Sequence, residues 1–413
     1  MSLVGSQQKV FLRLVSALRP HWRSDANLPA RLQALFAANR SFGSRDRKLY
    51  RELIFTSLRF LPWIELLLDH DPARAAQVTA WLAADIPATH AFRAALCADW
   101  PTCPSSLAAK ATHLGADSTA LLPDWAGRHC PEAVGSPNLD ALHTRAPLWL
   151  RLQAPDAGTV LDEFTRQGWG WRRSEILPSA VELLAEGDVT KTESWARGHV
   201  EVQDLGSQLL LETIGIGPGE QWLDACAGAG GKTLQLIRLL GPTGHVDAHD
   251  IRAGALRELA ARATRAGHPV CHLLDDKTPG GIAVRETAPT GHYDGVLVDA
   301  PCSGSGTWRR APHLKWCTSA GAVKHAAETQ QTLLAQFASS VRPGGRLVYA
   351  TCSLSRLENE DVVAQFLTQH PDFSATPFAR TFDSTPRTVG LAILPAQHNT
   401  DGFYVASLRR KAS

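Results

Sequence analysis

From Gly206 onward the chain alternates short apolar runs with longer stretches of helical periodicity, and this alternation constrains the fold more than any other feature. Strand-like runs at 221–226, 245–251, 269–274, 293–300, 346–351 and 402–408 are separated by helix-like runs at 233–240, 255–266 and 322–341. Strands that return parallel to one another need crossover helices, and those helices cover both faces of the sheet. The pattern predicts an α/β domain over 206–413 built on a mostly parallel sheet. Ligands of such sheets bind at the carboxyl ends of the strands.

The preceding half reads differently. Between Val10 and Leu68 the apolar positions recur at helical spacing, as in Leu28, Leu32, Leu35 and Phe36, then Leu49, Leu53, Ile54, Leu58 and Leu61. An all-α bundle over 1–135 is expected, with Ser44 capping a helix that places Arg47 and Arg51 one turn apart. Pro101 and Pro104 break the helical pattern, and Pro, Gly, Asn and His accumulate around 130–150. A boundary there leaves a small α+β linker domain over 140–205, with a strand at 149–153, a helix at 159–167 and a second strand approached through Gly168-Trp-Gly-Trp171. Three domains suit a chain of 413 residues, which exceeds what one core usually organises.

Charge is nearly balanced overall, at a formal +2, but residues 1–50 carry nine basic side chains against only Asp25 and Asp46. That excess favours a polyanionic partner, although a solvated helix face accounts for it equally well. No long apolar stretch and no signal-peptide pattern is present, so a cytoplasmic protein without a membrane partner is expected. Eight cysteines are scattered without a CxxC pair, which argues against a metal site and against a disulfide framework.

The first strand of the α/β domain ends in Asp224-Ala-Cys-Ala-Gly-Ala-Gly-Gly-Lys232 and runs straight into a helix. Glycines at such a junction let backbone approach a ligand, and the helix start offers free N–H groups. A P-loop would need glycine where Cys226 stands, and a dinucleotide fingerprint would need glycine or alanine where Thr233 stands. Candidate cofactor contacts are therefore Cys226, Ala227, Gly228, Ala229, Gly230, Gly231 and Lys232. Asp250, with Arg252 beside it, closes the second strand, where a carboxylate can accept from a ribose diol. Asp275 and Asp276 close the third, suited to an adenine amine, and Asp299 closes the fourth.

Two cysteines follow strand ends, in Asp299-Ala-Pro-Cys302 and Ala350-Thr-Cys352-Ser353. A thiolate is a strong nucleophile near neutral pH, and an enzyme that adds to an unreactive ring carbon has reason to place one there. These motifs, together with Val202-Gln-Asp-Leu-Gly-Ser-Gln208, the glycine loop, Arg309-Arg310, Lys315-Trp316, Glu358-Asn-Glu360 and Asp401-Gly-Phe-Tyr404, resemble the Sun-type (NSUN) RNA cytosine-5 methyltransferases. Segment 43–60 is also similar to the NusB-like domain of bacterial small-subunit ribosomal RNA methyltransferases.

The resemblance implies a Rossmann-like class I methyltransferase domain with S-adenosyl-L-methionine as cofactor, RNA as partner and a monomeric enzyme. It implies Cys352 as nucleophile, Cys302 as the group assisting release, Asp299 as the contact to the base, and Lys232 as a nearby charge. Ala229 stands where the family commonly has proline, His313 where it has aspartate, and Gln153 where it has asparagine. Ribosomal RNA is the expected substrate. A transfer RNA enzyme, a DNA cytosine-5 methyltransferase and a non-catalytic RNA-binding scaffold are the alternatives, the last two opposed by the intact motif at Cys352.

Overall fold

The computed structural model describes residues 2–184, 187–268, 271–274 and 291–412. They divide into two compact units, one of Met1–Ala146 with Thr307–Ala320, the other of Pro147–Gly306 with Gly321–Ser413. The helical unit thus includes a segment that sequence reading assigned to the α/β domain. Conversely, the small α+β region shares a unit with the large sheet.

Helices at Leu3–Leu18, Leu28–Ala38, Ser44–Arg59, Leu61–His70 and Pro72–Leu82 form the body of the first unit. Proline occupies the first turn of three of them, at Pro29, Pro62 and Pro72; its fixed φ suits a helix start and its missing N–H goes unneeded there. Phe11, Leu14, Leu18, Trp22, Leu32, Phe36, Leu49, Leu53 and Leu58 bury the helices' apolar stripes in one core. Ser44 is the first helical residue rather than the cap: Gly43 caps the helix, and its N–H donates to Asp46 Oδ2 at 3.3 Å.

Thr307–Ala320 is held to these helices by buried polar contacts. Lys315 Nζ donates to the Arg59 carbonyl at 2.9 Å and lies 2.8 Å from His143 Nε2, while Trp316 Nε1 donates to the Leu58 carbonyl at 2.6 Å. Arg309 donates to Thr144 Oγ1 at 2.9 Å, and Trp125 Nε1 to the Thr318 carbonyl at 2.9 Å. Burial pushes Lys315 well below the usual lysine range; burial, then the neighbouring Lys315, does the same to His143.

In the second unit, β1 (Leu148–Leu152), β2 (Trp171–Arg173), β3 (Ala180–Leu183) and β4 (Val200–Val202) form an antiparallel sheet in the order β2-β3-β1-β4. The helix Ala157–Arg166 buries Val160, Leu161 and Phe164 against Leu150, Leu152, Val181 and Leu183.

The large sheet comprises β5 (Gln221–Asp224), β6 (His245–His249), β7 (Cys271–Leu274), β8 (Tyr293–Asp299), β9 (Val341–Thr351), β10 (Phe373–Ala375), β11 (Thr385–Pro386), β12 (Leu391–Ile393) and β13 (Phe403–Arg410). Its order is β11-β12-β13-β9-β8-β5-β6-β7, with β10 paired to β13. Strands β5 to β9 are mutually parallel and β13 runs antiparallel to β9, which is the expected Rossmann-like arrangement. From β5 the chain moves outward one way through β6 and β7, then crosses to β8 and β9. The strand order therefore reverses between β5 and β8, the switch point at which open sheets of this kind take ligands in a crevice beyond the carboxyl ends of the strands. Trp222 is fully buried in the core beneath that point.

Candidate active site

The loop after β5 reverses tightly before the helix Gly231–Leu240. Ala227 N–H donates to the His249 carbonyl of β6, and Gly230 N–H to the Ala227 carbonyl, both at 2.9 Å. Gly228 and Gly230 have φ of +54° and +88°, a region that favours glycine. A Cβ on Gly230 would come within 2.6 Å of Leu259, whereas one on Gly231 would meet open space. The loop is thus packed on one side and open on the other.

Asp250, just past β6, closes over this loop. Its Oδ2 accepts from Gly228 N–H at 2.8 Å and from Arg252 Nη2 at 2.9 Å; its Oδ1 accepts from the Arg252 backbone N–H at 2.8 Å and Nε at 2.9 Å. Although burial works the other way, the bonds from Arg252 and Gly228 hold Asp250 below the usual carboxylate range. The Arg252 side chain is 69% exposed while that of Asp250 is 6% exposed, so the guanidinium can swing away and yield its two places to hydroxyls. Asp275 and Asp276 lie outside the described residues.

Across the crevice, Lys232 Nζ donates to Asp299 Oδ2 at 2.7 Å. Burial opposes the charge on Lys232, but Asp299, with smaller contributions from Cys352 and Asp224, raises its pKa. Asp224, at the end of β5, is fully buried and accepts from Thr233 Oγ1 at 2.7 Å. Burial pushes its carboxyl up to about 7. Cys226 is held up as a thiol, first by burial and then by the surrounding aspartates.

Cys302 and Cys352 stand beyond the ends of the adjacent strands β8 and β9, with their sulfurs 3.4 Å apart. The hydrogen bond with Cys352, followed by burial, pushes Cys302 well above the ordinary thiol range. Cys302 therefore keeps its proton beside a second sulfur that has a lysine nearby.

The two thiol loops are knotted together by Glu358, which sequence reading noted only as part of a motif. This fully buried carboxylate accepts from Ser303 N–H at 2.6 Å and from the hydroxyls of Ser303 and Ser353 at 2.5 Å each. Those serines directly follow the two cysteines. Gly306 N–H donates to the Cys352 carbonyl at 2.9 Å, and the Gly306 carbonyl accepts from Gly402 N–H at 2.8 Å. A Cβ on Gly306 would fall 2.1 Å from the Gly402 carbonyl, so only glycine permits this approach.

A family model described as 16S rRNA methyltransferase RsmB/F matches residues 212–409, the segment that carries both thiols, the glycine loop and the acidic strand ends. Ribosomal RNA small subunit methyltransferase B of Yersinia pestis (strain Angola) is 30% identical over 301 residues, covering 71% of this chain and 68% of that protein. The chain belongs to the RsmB/F methyltransferase family. Another RsmB relative, the probable ribosomal RNA small subunit methyltransferase B of Bacillus subtilis, is 31% identical over 304 residues, 70% of this chain. The match spans 66% of that protein's length, just under two thirds. The crystal structure of PH0851 superposes with a TM-score of 0.72 at 22% identity, covering 92% of this chain and 93% of its own. NSun6 from Pyrococcus horikoshii, solved with SFG, gives 0.59 at 18% identity, covering 67% and 94%. Both likenesses concern the fold.

Proposed function

We propose that this protein transfers a methyl group from S-adenosyl-L-methionine to carbon 5 of a cytidine in 16S ribosomal RNA, through a covalent adduct with Cys352. The observation that carries this reading is the pair of thiols 3.4 Å apart, beyond adjacent strand ends and beside the Lys232–Asp299 pair. Carbon 5 of cytosine is too weak a nucleophile to attack a methyl sulfonium, and addition of a thiolate at carbon 6 makes it an enamine that can.

The glycine loop, Asp250 and Arg252 fit the cofactor. The open face at Gly231 admits a ligand against backbone, and Asp250 presents acceptors where a ribose diol would lie. When bound, the cofactor supplies an electrophilic methyl group. Lys232 favours the thiolate of Cys352 by its charge. Asp299, sharing a proton, would bind ring nitrogen 3 of the base and stabilise the electron-rich ring as charge develops there. Once carbon 5 carries the methyl group, a solvent water takes the carbon 5 proton, the freed electron pair re-forms the ring double bond, and the bond from carbon 6 to Cys352 breaks with its pair leaving on sulfur. Cys302, holding a proton 3.4 Å from the departing sulfur, can donate it as Cys352 leaves.

Bisulfite sequencing of RNA from cells with and without the gene tests the reading. One cytidine of 16S RNA should lose protection in the null strain and regain it with the parent gene but not with Cys352→Ser. An unchanged 16S profile, or full restoration by Cys352→Ser, refutes it.

A further inference from the structure

The small antiparallel sheet is hydrogen-bonded to the glycine loop. Arg151 of β1 and Glu201 of β4 are direct cross-strand partners, and both are completely buried. Cross-strand partners project from the same face of a sheet. Two charged groups without solvent are costly unless their hydrogen bonds are directed to something that needs them. Their bonds lead to the glycine loop.

Arg151 Nη1 donates to the Gly231 carbonyl at 2.9 Å, and the same nitrogen is also bonded to Gln203 Oε1. Glu201 Oε2 accepts from Arg262 Nη2 at 2.8 Å, and Arg262 Nη1 donates onward to the Ala229 carbonyl at 2.6 Å. The carbonyls on either side of Gly230 are thus each held by an arginine that the small sheet positions. Leu259, one turn before Arg262 on the same helix, closes the packed side of Gly230.

A trans peptide points its carbonyl and its N–H in opposite directions. Holding the Ala229 carbonyl directs the Gly230 N–H, which closes the turn on Ala227 at 2.9 Å. Holding the Gly231 carbonyl directs the Lys232 N–H, one of the donors a helix leaves unused at its start. It also sets the origin of the Lys232 side chain, which reaches Asp299.

We propose that Arg151, and Arg262 held in place by Glu201, are positioning residues for the cofactor: they fix the peptide planes of the glycine loop, making the small sheet a working part of the methyl-donor site. This rests on the reading of the loop as the S-adenosylmethionine site.

Arg265 supplies a matched control. It also pairs with Glu201, but spends the rest of its guanidinium on the face of Trp195, 3.9 Å away. Calorimetric titration of the full-length protein with S-adenosylmethionine, paired with steady-state methyl transfer, separates the roles. Arg262→Met should weaken cofactor affinity about tenfold or more, the scale of a lost charged hydrogen bond, while kcat at saturating cofactor falls less than about threefold. Arg262→Lys, which can still reach the Ala229 carbonyl, should recover most of the affinity, and Arg265→Met should stay within about twofold of the parent. Arg151→Met gives the same readout for the Gly231 carbonyl should Arg262→Met fail to melt cooperatively.

Equal losses in Arg262→Met and Arg265→Met would reduce the effect to general destabilisation and overturn the proposal, as would unchanged affinity in Arg262→Met and Arg151→Met. A parent protein that does not bind S-adenosylmethionine would overturn the functional reading itself, and this one with it.

Discussion

Replacing Glu358 with alanine isolates how accurately two reacting sulfurs must be held. The side chain holds the residues that follow the two cysteines: it accepts from Ser303 N–H, Ser303 Oγ and Ser353 Oγ at 2.5–2.6 Å, and from Gln330 Nε2 at 3.3 Å. Removing it strands several buried donors in a space that water does not readily enter. Leaving a buried donor unsatisfied typically costs about 1–3 kcal/mol per group. Part of that cost is relieved by moving the loops apart, and a misplacement near 1 Å at a reacting centre costs roughly 10²-fold in rate. Glu358→Ala is therefore expected to lower kcat about 10²-fold while S-adenosylmethionine affinity, set across the crevice, stays at the parent value. Glu358→Gln keeps an acceptor oxygen and should fall between the two. Tritiated-methyl transfer at saturating RNA, calorimetry for the cofactor and a melting curve provide the three measurements. A kcat within about threefold of the parent, with the melt lowered, would show that the thiols hold their geometry without this knot and refute the reasoning.

Cys302→Ala should still form the methylated adduct but release it slowly, so enzyme and RNA remain linked on a denaturing gel; trapping by Cys352→Ala instead would reverse the two roles. Asp250→Ala removes the ribose acceptors and the anchor of Gly228 N–H together, so cofactor affinity should drop by roughly 1.5–3 kcal/mol per charged hydrogen bond lost, and unchanged calorimetric affinity would remove Asp250 from the site. Asp224 gives a pH signature. Its folded pKa is raised from 3.8 to about 7 by burial, so the unfolded chain releases this proton first, and the associated stability is present below about pH 4 and lost as pH climbs through 7. Relative to Asp224→Asn, the parent should lose melting temperature progressively across that window and track in parallel above it; curves parallel from pH 4 upward would contradict the assignment.

The parallel core of the sheet was legible because short strand-like runs followed by a carboxylate or a thiol alternate with helix-like ones. Position alone then brought Gly228, Asp250, Asp299, Cys302 and Cys352 to one edge. Strands β10, β11 and β12 were not legible: at three, two and three residues they are too short to show a period, and only pairing with neighbouring strands makes them strands. Val341 to Gly345 was read as the end of a helix and a turn. It extends β9 because the pairing with β8 slips between Tyr293 and Gly295 and accommodates Pro343, Gly344 and Gly345. Arg151, Glu201 and Glu358 left no local trace of their roles, since each finds its partners from tens of residues away or across a turn. A buried charge inside an apolar strand, such as Arg151 within Leu148-Trp-Leu-Arg-Leu152, was the one available signal.

The placement of Thr307–Ala320 changes how this molecule can be taken apart. A gene fragment encoding 1–146 would omit the ammonium that caps the Arg59 carbonyl, the indole that caps Leu58, and the whole of Trp308, which is 1% exposed in the intact unit. Its complement would carry the same groups without the helices that bond them. The helical part is thus not separable by scissors placed at any single peptide bond, and a soluble stand-alone version would need residues 307–320 supplied as a graft or as a second chain.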